Sequence, residues 1–191
     1  AKKLDYTEFQ IVTTDGSSCL AGLGAKRESD FDPTAFRDWD CIVAIGDNAA
    51  RRRFHETYPQ LKYVCIIAPT AAVCDEAMIG RGSYIGAFAS IGPEARLGEA
   101  CIVNTHCVVG HDASIGAFSQ LGPHSCLSGH VELGEAVFIG AASVFNNGSP
   151  EQALTVADRV HVGMGCLVTR SIPEPAARLV PKANFSKIRG D

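Results

Sequence analysis

The sequence predicts a parallel β-helix behind a small α/β unit, and three observations carry that prediction. From Val73 the chain divides into hexads that each open on an aliphatic residue: Val73, Ile79, Ile85, Ile91, Leu97, Val103, Val109, Ile115, Leu121, Leu127, Leu133 and Ile139. Gly follows in nine of these twelve hexads, and the fifth position is always Ala, Ser, Cys or Val. The first seventy residues lack this period and read as strand, helix, strand.

A period of six with one large aliphatic and one small residue suits a three-sided prism. The aliphatic side chain fills the interior, the fifth residue points inward near a corner, and the Gly is expected to relieve the backbone where the chain turns. Three hexads make one coil, so residues 18 apart in sequence stack at a strand spacing of about 4.8 Å. Ile85, Val103, Leu121 and Ile139 should therefore form one column. The phase resumes at Val156, Val162 and Val168, giving five coils from Val73 and a loop leaving the prism over residues 145–155. A β-sandwich would show period-2 alternation and irregular strand lengths, which this sequence lacks.

In the N-terminal part, residues 8–13 (EFQIVT) read as a strand, and Asp32-Pro33 as the cap and first position of a short helix running to Trp39. Residues 41–45 (CIVAI) read as a buried strand, Gly46-Asp47-Asn48 as a turn and cap, residues 49–58 as a helix and residues 61–67 as a second strand. A turn into a helix carrying Arg51, Arg52 and Arg53 can hold phosphate, or it can be an ordinary connection with a solvated arginine face. No GxGxxG or GxxxxGK[ST] motif is present, so neither a dinucleotide fold nor a P-loop is supported.

The 191 residues are 46% hydrophobic and 20% charged, which excludes a disordered chain. A net charge of −4 argues against a broad nucleic-acid-binding surface. The eight cysteines form no CxxC pair, and Cys101, Cys107 and Cys166 occupy the small inward position. They read as buried hydrophobes of a reducing compartment rather than as nucleophiles or zinc ligands. No apolar run approaches 18 residues, and the opening AKKLDYTEFQ is polar. The expectation is a cytoplasmic protein without a signal peptide or membrane span.

Four of the six histidines fall between residues 106 and 130. His106 and His124 are 18 apart and should stack; two ligands without a third do not favour a metal there. Asp112 and His130 are also 18 apart and should lie side by side on a different face, with His111 preceding Asp112 outside the core. A His beside a carboxylate, with a second His one coil away, suits a general-base cluster. Surface histidines stacking without purpose would give the same spacing.

The stretches CIVAIGDNAARRRF, VCIIAPTAAV and CIVNTHCVVGHDASIGAFSQLGPHSCLSGHVELGEAVFIGAASV, with the motif NT-x5-HD, resemble the left-handed β-helix (hexapeptide-repeat) sugar acetyltransferases. These include nucleotide-amino-sugar N-acetyltransferases and their sialic-acid O-acetyltransferase relatives. The resemblance implies a left-handed coil. It divides the chain into a shortened, nucleotide-sugar-binding-like α/β domain at 1–70 and a β-helix acyltransferase domain with a C-terminal tail at 71–191. It implies His111 as the catalytic base, Asp112 as its acidic neighbour and Asn104 near the transfer site. Gln120, Gly129 and Ala141 would bind acetyl-CoA, with the Gly129 N–H meeting the thioester carbonyl. Asp15, Gly46 and Asn48 would hold the nucleotide sugar. The cosubstrate would be acetyl-CoA with no metal, in a homotrimer with the groove for it between neighbouring prisms. Departures accompany the match. The strand, Gly-rich turn and helix with which family members usually begin are not seen ahead of Gln10, and Gln120 replaces a frequent second His. The expected activity is acetyl-CoA-dependent N-acetylation of a nucleotide-linked amino sugar; the alternatives are sugar O-acetylation and a non-catalytic scaffold.

Overall fold

The computed structural model describes residues 10–13 and 25–181. From residue 66 onward it is a three-sided parallel β-helix. The first face has seven strands, from Ile66–Ile67 through Tyr84–Ile85, Ile102–Val103, Gln120–Leu121, Phe138–Ile139 and His161–Val162 to Arg178–Leu179. The second face has six, Ala72–Val73 to Leu167–Val168, and the third has five, Met78–Ile79 to Leu154–Val156. Every pairing is parallel, and the expected column holds, with Ile85 paired to Val103, Val103 to Leu121 and Leu121 to Ile139.

The prism is longer than the hexad count from Val73. Ile66–Ile67 joins the first face ahead of it, and Arg178–Leu179 closes that face after it. The excursion runs between Phe145 and Leu154: Phe145 is fully buried and pairs with Leu127, while Thr155 pairs with Glu132. Only residues 146–153 leave the coil, so the two ends of the expected loop belong to strands.

Inside, the aliphatic columns form one continuous core. The small inward positions do more than fill space. The hydroxyl of Ser119 donates to Gly134 O at 3.0 Å and accepts from Val137 N at 2.9 Å, and Ser83 and Ser143 repeat the pattern. Each buried hydroxyl thus ties its coil to the next and is satisfied in doing so.

The glycines of the repeat have a different cause from the one expected. The left-handed backbone falls mostly on other residues: Glu94, His106, Asp112, Phe118, His124, His130 and Ala136 all have φ between 53° and 61°. The repeat glycines are needed because the next coil lies against them; a Cβ on Gly98 would sit 2.6 Å from Ala117 N. Steric approach between coils, not turn conformation, fixes the second position.

In the N-terminal part, Ile11–Thr13 pairs in parallel with Ala25–Arg27, and Asp40–Cys41 pairs with Lys62–Tyr63. Helix α1, Asn48–Thr57, connects the latter pair, capped by the Asp47 carboxylate accepting from Ala50 N. The expected helix after Asp32 is a single 3-10 turn, Pro33–Phe36, and the expected strand over 61–67 divides into Lys62–Tyr63 and the first strand of the prism.

Helix α1 docks on the corner between the third and first faces, where Ala100, Phe118 and Ala136 stack. Arg51 is fully buried; its Nε donates to Ala100 O at 2.9 Å, one Nη to Phe118 O at 2.7 Å and the other to Ile45 O at 2.7 Å. Arg52 pairs with Glu135 at 2.7 Å and lies 4.8 Å from the Phe118 ring centroid. Arg53 lies 3.8 Å from Glu28. All three arginines are therefore engaged with protein groups, and the expected solvated arginine face does not hold for Arg51, which is buried against the prism.

Candidate active site at a prism corner

Residues between the second and third faces form a corner where the turn repeats every coil. Asp112 and His130 occupy equivalent slots in successive coils, with φ of 56° and 54°, and His130 N donates to His111 O at 3.1 Å. Coil stacking therefore brings together three chemically active side chains that the sequence holds apart. His111 Nδ1 lies 2.8 Å from Asp112 Oδ2, and His130 Nε2 lies 3.9 Å from the same oxygen. The His111 and His130 rings meet edge to face at 5.1 Å.

The carboxylate accepts from Nδ1, so the His111 ring carries its proton there and leaves the Nε2 lone pair free. That nitrogen lies against Gly129: a Cβ built on Gly129 would be 2.5 Å from it. Any side chain at 129 would displace the imidazole. The Gly129 N–H makes no hydrogen bond among the described residues. A base lone pair and a free backbone donor thus sit side by side on an accessible edge, where His111 is 55% and Asp112 46% exposed. This arrangement can remove a proton from an incoming nucleophile and stabilise a developing oxyanion within one small volume.

The other expected site residues lie elsewhere in the chain. Asn104 is at the corner between the first and second faces, its Nδ2 donating to Leu121 O at 2.8 Å, and Ala141 is at the same corner. Beside them runs the expected ladder, His106 on His124 at 4.6 Å, extended by Phe88 at 5.0 Å from His106. Gln120 points outward from the first face; its Oε1 is buried without a partner and lies 4.0 Å from where a Cβ on Gly46 would be. Asn48 is fully occupied, its Nδ2 donating to Ala136 O and Val137 O and its Oδ1 accepting from Arg51. Asp15 lies outside the described residues. Within one chain the structure unites His111, Asp112, Gly129 and His130, and separately Gly46 with Gln120. Sequence spacing pairs His130 with Asp112 and, by the same 18 residues, Gly129 with His111; how closely the imidazole packs on that glycine is visible only in the structure.

Cys101, Cys107 and Cys166 are core residues as expected, Cys41, Cys65 and Cys126 are half-buried, and Cys74 is exposed. All seven described are free, and burial pushes the Cys101 thiol up to about 12, which keeps it protonated and inert. A cavity of about 630 Å³ lies in the N-terminal part, lined by Phe31, Phe36, Trp39 and Phe54 with Asp38, Asp40 and Lys62; it includes neither Gly46 nor Asn48. No helix among the described residues is long and apolar enough to cross a membrane.

Neither a protein-family model nor a curated protein matches the chain by sequence. Solved structures do. Perosamine N-acetyltransferase from Caulobacter crescentus, in complex with CoA and GDP-perosamine, superposes with a TM-score of 0.78 at 30% identity, covering 86% of this chain and 78% of that one. The acetyltransferase domain of PglB from Neisseria gonorrhoeae gives 0.78 at 29% identity, covering 91% and 83%. WeeI from Acinetobacter baumannii shares the fold, with a TM-score of 0.76 at 21% identity over 85% and 78%. Parallel sheets on all three faces, the hexad period and this likeness together place the chain in the family of hexapeptide-repeat sugar acetyltransferases.

Proposed function

We propose that the protein transfers the acetyl group of acetyl-CoA to the amino group of a nucleotide-linked amino sugar, with His111 as general base. The observation that carries this reading is the His111–Asp112 pair with its free Nε2 beside the Gly129 N–H. Similarity to an enzyme bound to CoA and GDP-perosamine, and to a PglB domain bound to acetyl-CoA, supports the two substrates.

The amine must attack as a free base. As the C–N bond forms, His111 Nε2 takes the amine proton and Asp112 stabilises the resulting imidazolium. The thioester oxygen, now an oxyanion, is received by the Gly129 N–H. Collapse breaks the C–S bond, and the imidazolium returns the proton to the departing CoA thiolate. No step requires a metal.

In this reading the expected domain at 1–70 ends where the prism begins at Ile66; the part ahead of it binds the nucleotide sugar, Asp15 and Gly46 serve the nucleotide, and Asn48 holds the loop in place through its bonds to the prism. The prism is the acyltransferase domain, coiled left-handed. Asn104 and Ala141 lie one corner away from His111, so a second chain must supply them to the same site. A homotrimer with acetyl-CoA between neighbouring prisms does this. The outer side of the second face between the two corners is suited to such packing, with Val108 and Val144 each 41% exposed and Leu167 70% exposed. The unpaired cysteines fit the cytoplasm.

The experiment is release of CoA thiol from acetyl-CoA across a panel of nucleotide amino sugars, each beside its hydroxyl counterpart. Turnover confined to the amines is expected. Turnover of the hydroxyl sugars alone would reassign the enzyme to O-acetylation, and no turnover with either set would reject the reading.

A further inference from the structure

We propose that His111, Asp112 and His130 also form a binding site for a divalent transition-metal ion of the zinc class, and that an ion held there switches the enzyme off. One donor atom from each residue lies within 4.8 Å of the others. Two imidazoles and a carboxylate are three of the four ligands of an open zinc site, with the fourth position left to water.

The cluster meets the demands such a site makes. Tetrahedral ligands about 2 Å from a metal are roughly 3.3 Å apart. The Nδ1–Oδ2 and Nε2–Oδ2 separations here, 2.8 and 3.9 Å, bracket that value. His130 Nε2 is the farther ligand and has to move in by side-chain rotation on the same backbone. That backbone is fixed by stacking, with Asp112 N bonded to Pro93 O and His130 N to His111 O, both at 3.1 Å. The site is open to ions, its side chains being 55%, 46% and 21% exposed. Asp112 supplies the negative charge, and Glu94, in the equivalent slot one coil earlier, faces Arg96 at 3.4 Å.

Inhibition follows from the chemistry of one ring. An ion taking Nδ1 needs that lone pair, which moves the ring proton to Nε2, where the base must be empty. An ion taking Nε2 blocks the base directly. In both cases Asp112 is diverted from the imidazole to the metal. The switch rests on the assignment of His111 as base; the metal site does not.

Chelator-stripped, full-length protein is titrated with Zn²⁺ by equilibrium dialysis and with Co²⁺ by visible absorption. One ion per chain is expected, with affinity falling at least tenfold in His130→Asn and in Asp112→Asn. Asn tolerates the left-handed backbone of both positions, so the corner is kept. His106→Ala, His124→Ala, His161→Ala and Cys74→Ser test other exposed ligands and should leave binding unchanged. Binding that survives His130→Asn and Asp112→Asn, or that is lost with Cys74→Ser, overturns the site. Zn²⁺ should abolish wild-type CoA release, and a chelator should restore it. Stoichiometric binding without inhibition overturns the switch. Binding by a protein that transfers no acetyl group upholds the site and rejects the acetyltransferase reading instead.

Discussion

The His111 imidazole packs directly against Gly129, so closely that a Cβ at 129 would meet Nε2 at 2.5 Å and Cε1 at 2.6 Å. The two residues are 18 apart, in equivalent positions of successive coils, and they place the base and a free N–H together. With His111 as the proposed base, this contact gives the glycine a functional part as well as a steric one.

Gly129→Ala should therefore disable the enzyme while sparing the fold. The backbone there is not left-handed, so the added methyl strains only the imidazole. We expect kcat to fall about 100-fold or more, the scale of a lost oxyanion donor or misplaced base. The melting temperature should move little. A variant with normal kcat would show that the imidazole does not act from this position.

His111→Ala should lower kcat by about 10²–10⁴-fold with little change in acetyl-CoA affinity, because a general base acts in the transition state. His106→Ala is the control: its ring stacks between Phe88 and His124 on a different corner. Steady-state kinetics of the two variants side by side decide the matter, and the reverse ranking would end the assignment.

What could be read beforehand divides along the period. Where a residue's place follows from adding 18, the sequence was sufficient: the Ile85 column, the His106–His124 stack and the Asp112–His130 pair all follow from that arithmetic. Where a place depends on what lies across from it, the sequence was mute. Nothing between Tyr63 and Ile66 marks the point at which one strand of the N-terminal part gives way to the first strand of the prism, since the run Val64-Cys65 carries no turn residue. The Gly129–His111 pairing does follow from adding 18, but its closeness, with a Cβ at 129 only 2.5 Å from Nε2, does not. Arg51 reads as one of three surface arginines, yet it is fully buried because three backbone carbonyls happen to converge on it.

That convergence predicts how the N-terminal part is held. Arg51→Met keeps the length of the side chain but leaves the carbonyls of Ala100, Phe118 and Ile45 without their donor. Hydrogen bonds to a charged group contribute about 1.5–3 kcal/mol each, and they do not add fully, so a loss of about 3 kcal/mol or more is expected. The loss should be local. Hydrogen exchange should accelerate across α1 while the prism strands stay protected, and uniform acceleration throughout would refute a separate clamp.

His55 gives the acid sensitivity of the same docking. Its side chain is 6% exposed, stacked 3.9 Å from Tyr63 and edge-on to Phe118, and neither ring nitrogen has a partner. Burial lowers its pKa; Glu99 opposes the shift, while Arg81 and Arg51 add to it. The folded state thus favours the neutral ring more than the unfolded chain does. The stabilisation is complete above the unfolded value of about 6.5 and is lost as pH falls from there toward the folded value, because the unfolded chain then takes up a proton that the folded one resists. His55→Phe keeps the stack on Tyr63 and removes the titration. Urea midpoints at pH 7.5 and 5.0 should fall further in the wild type than in His55→Phe, with the difference read in the unfolding of α1. Equal drops in the two proteins would assign the acid sensitivity to other groups.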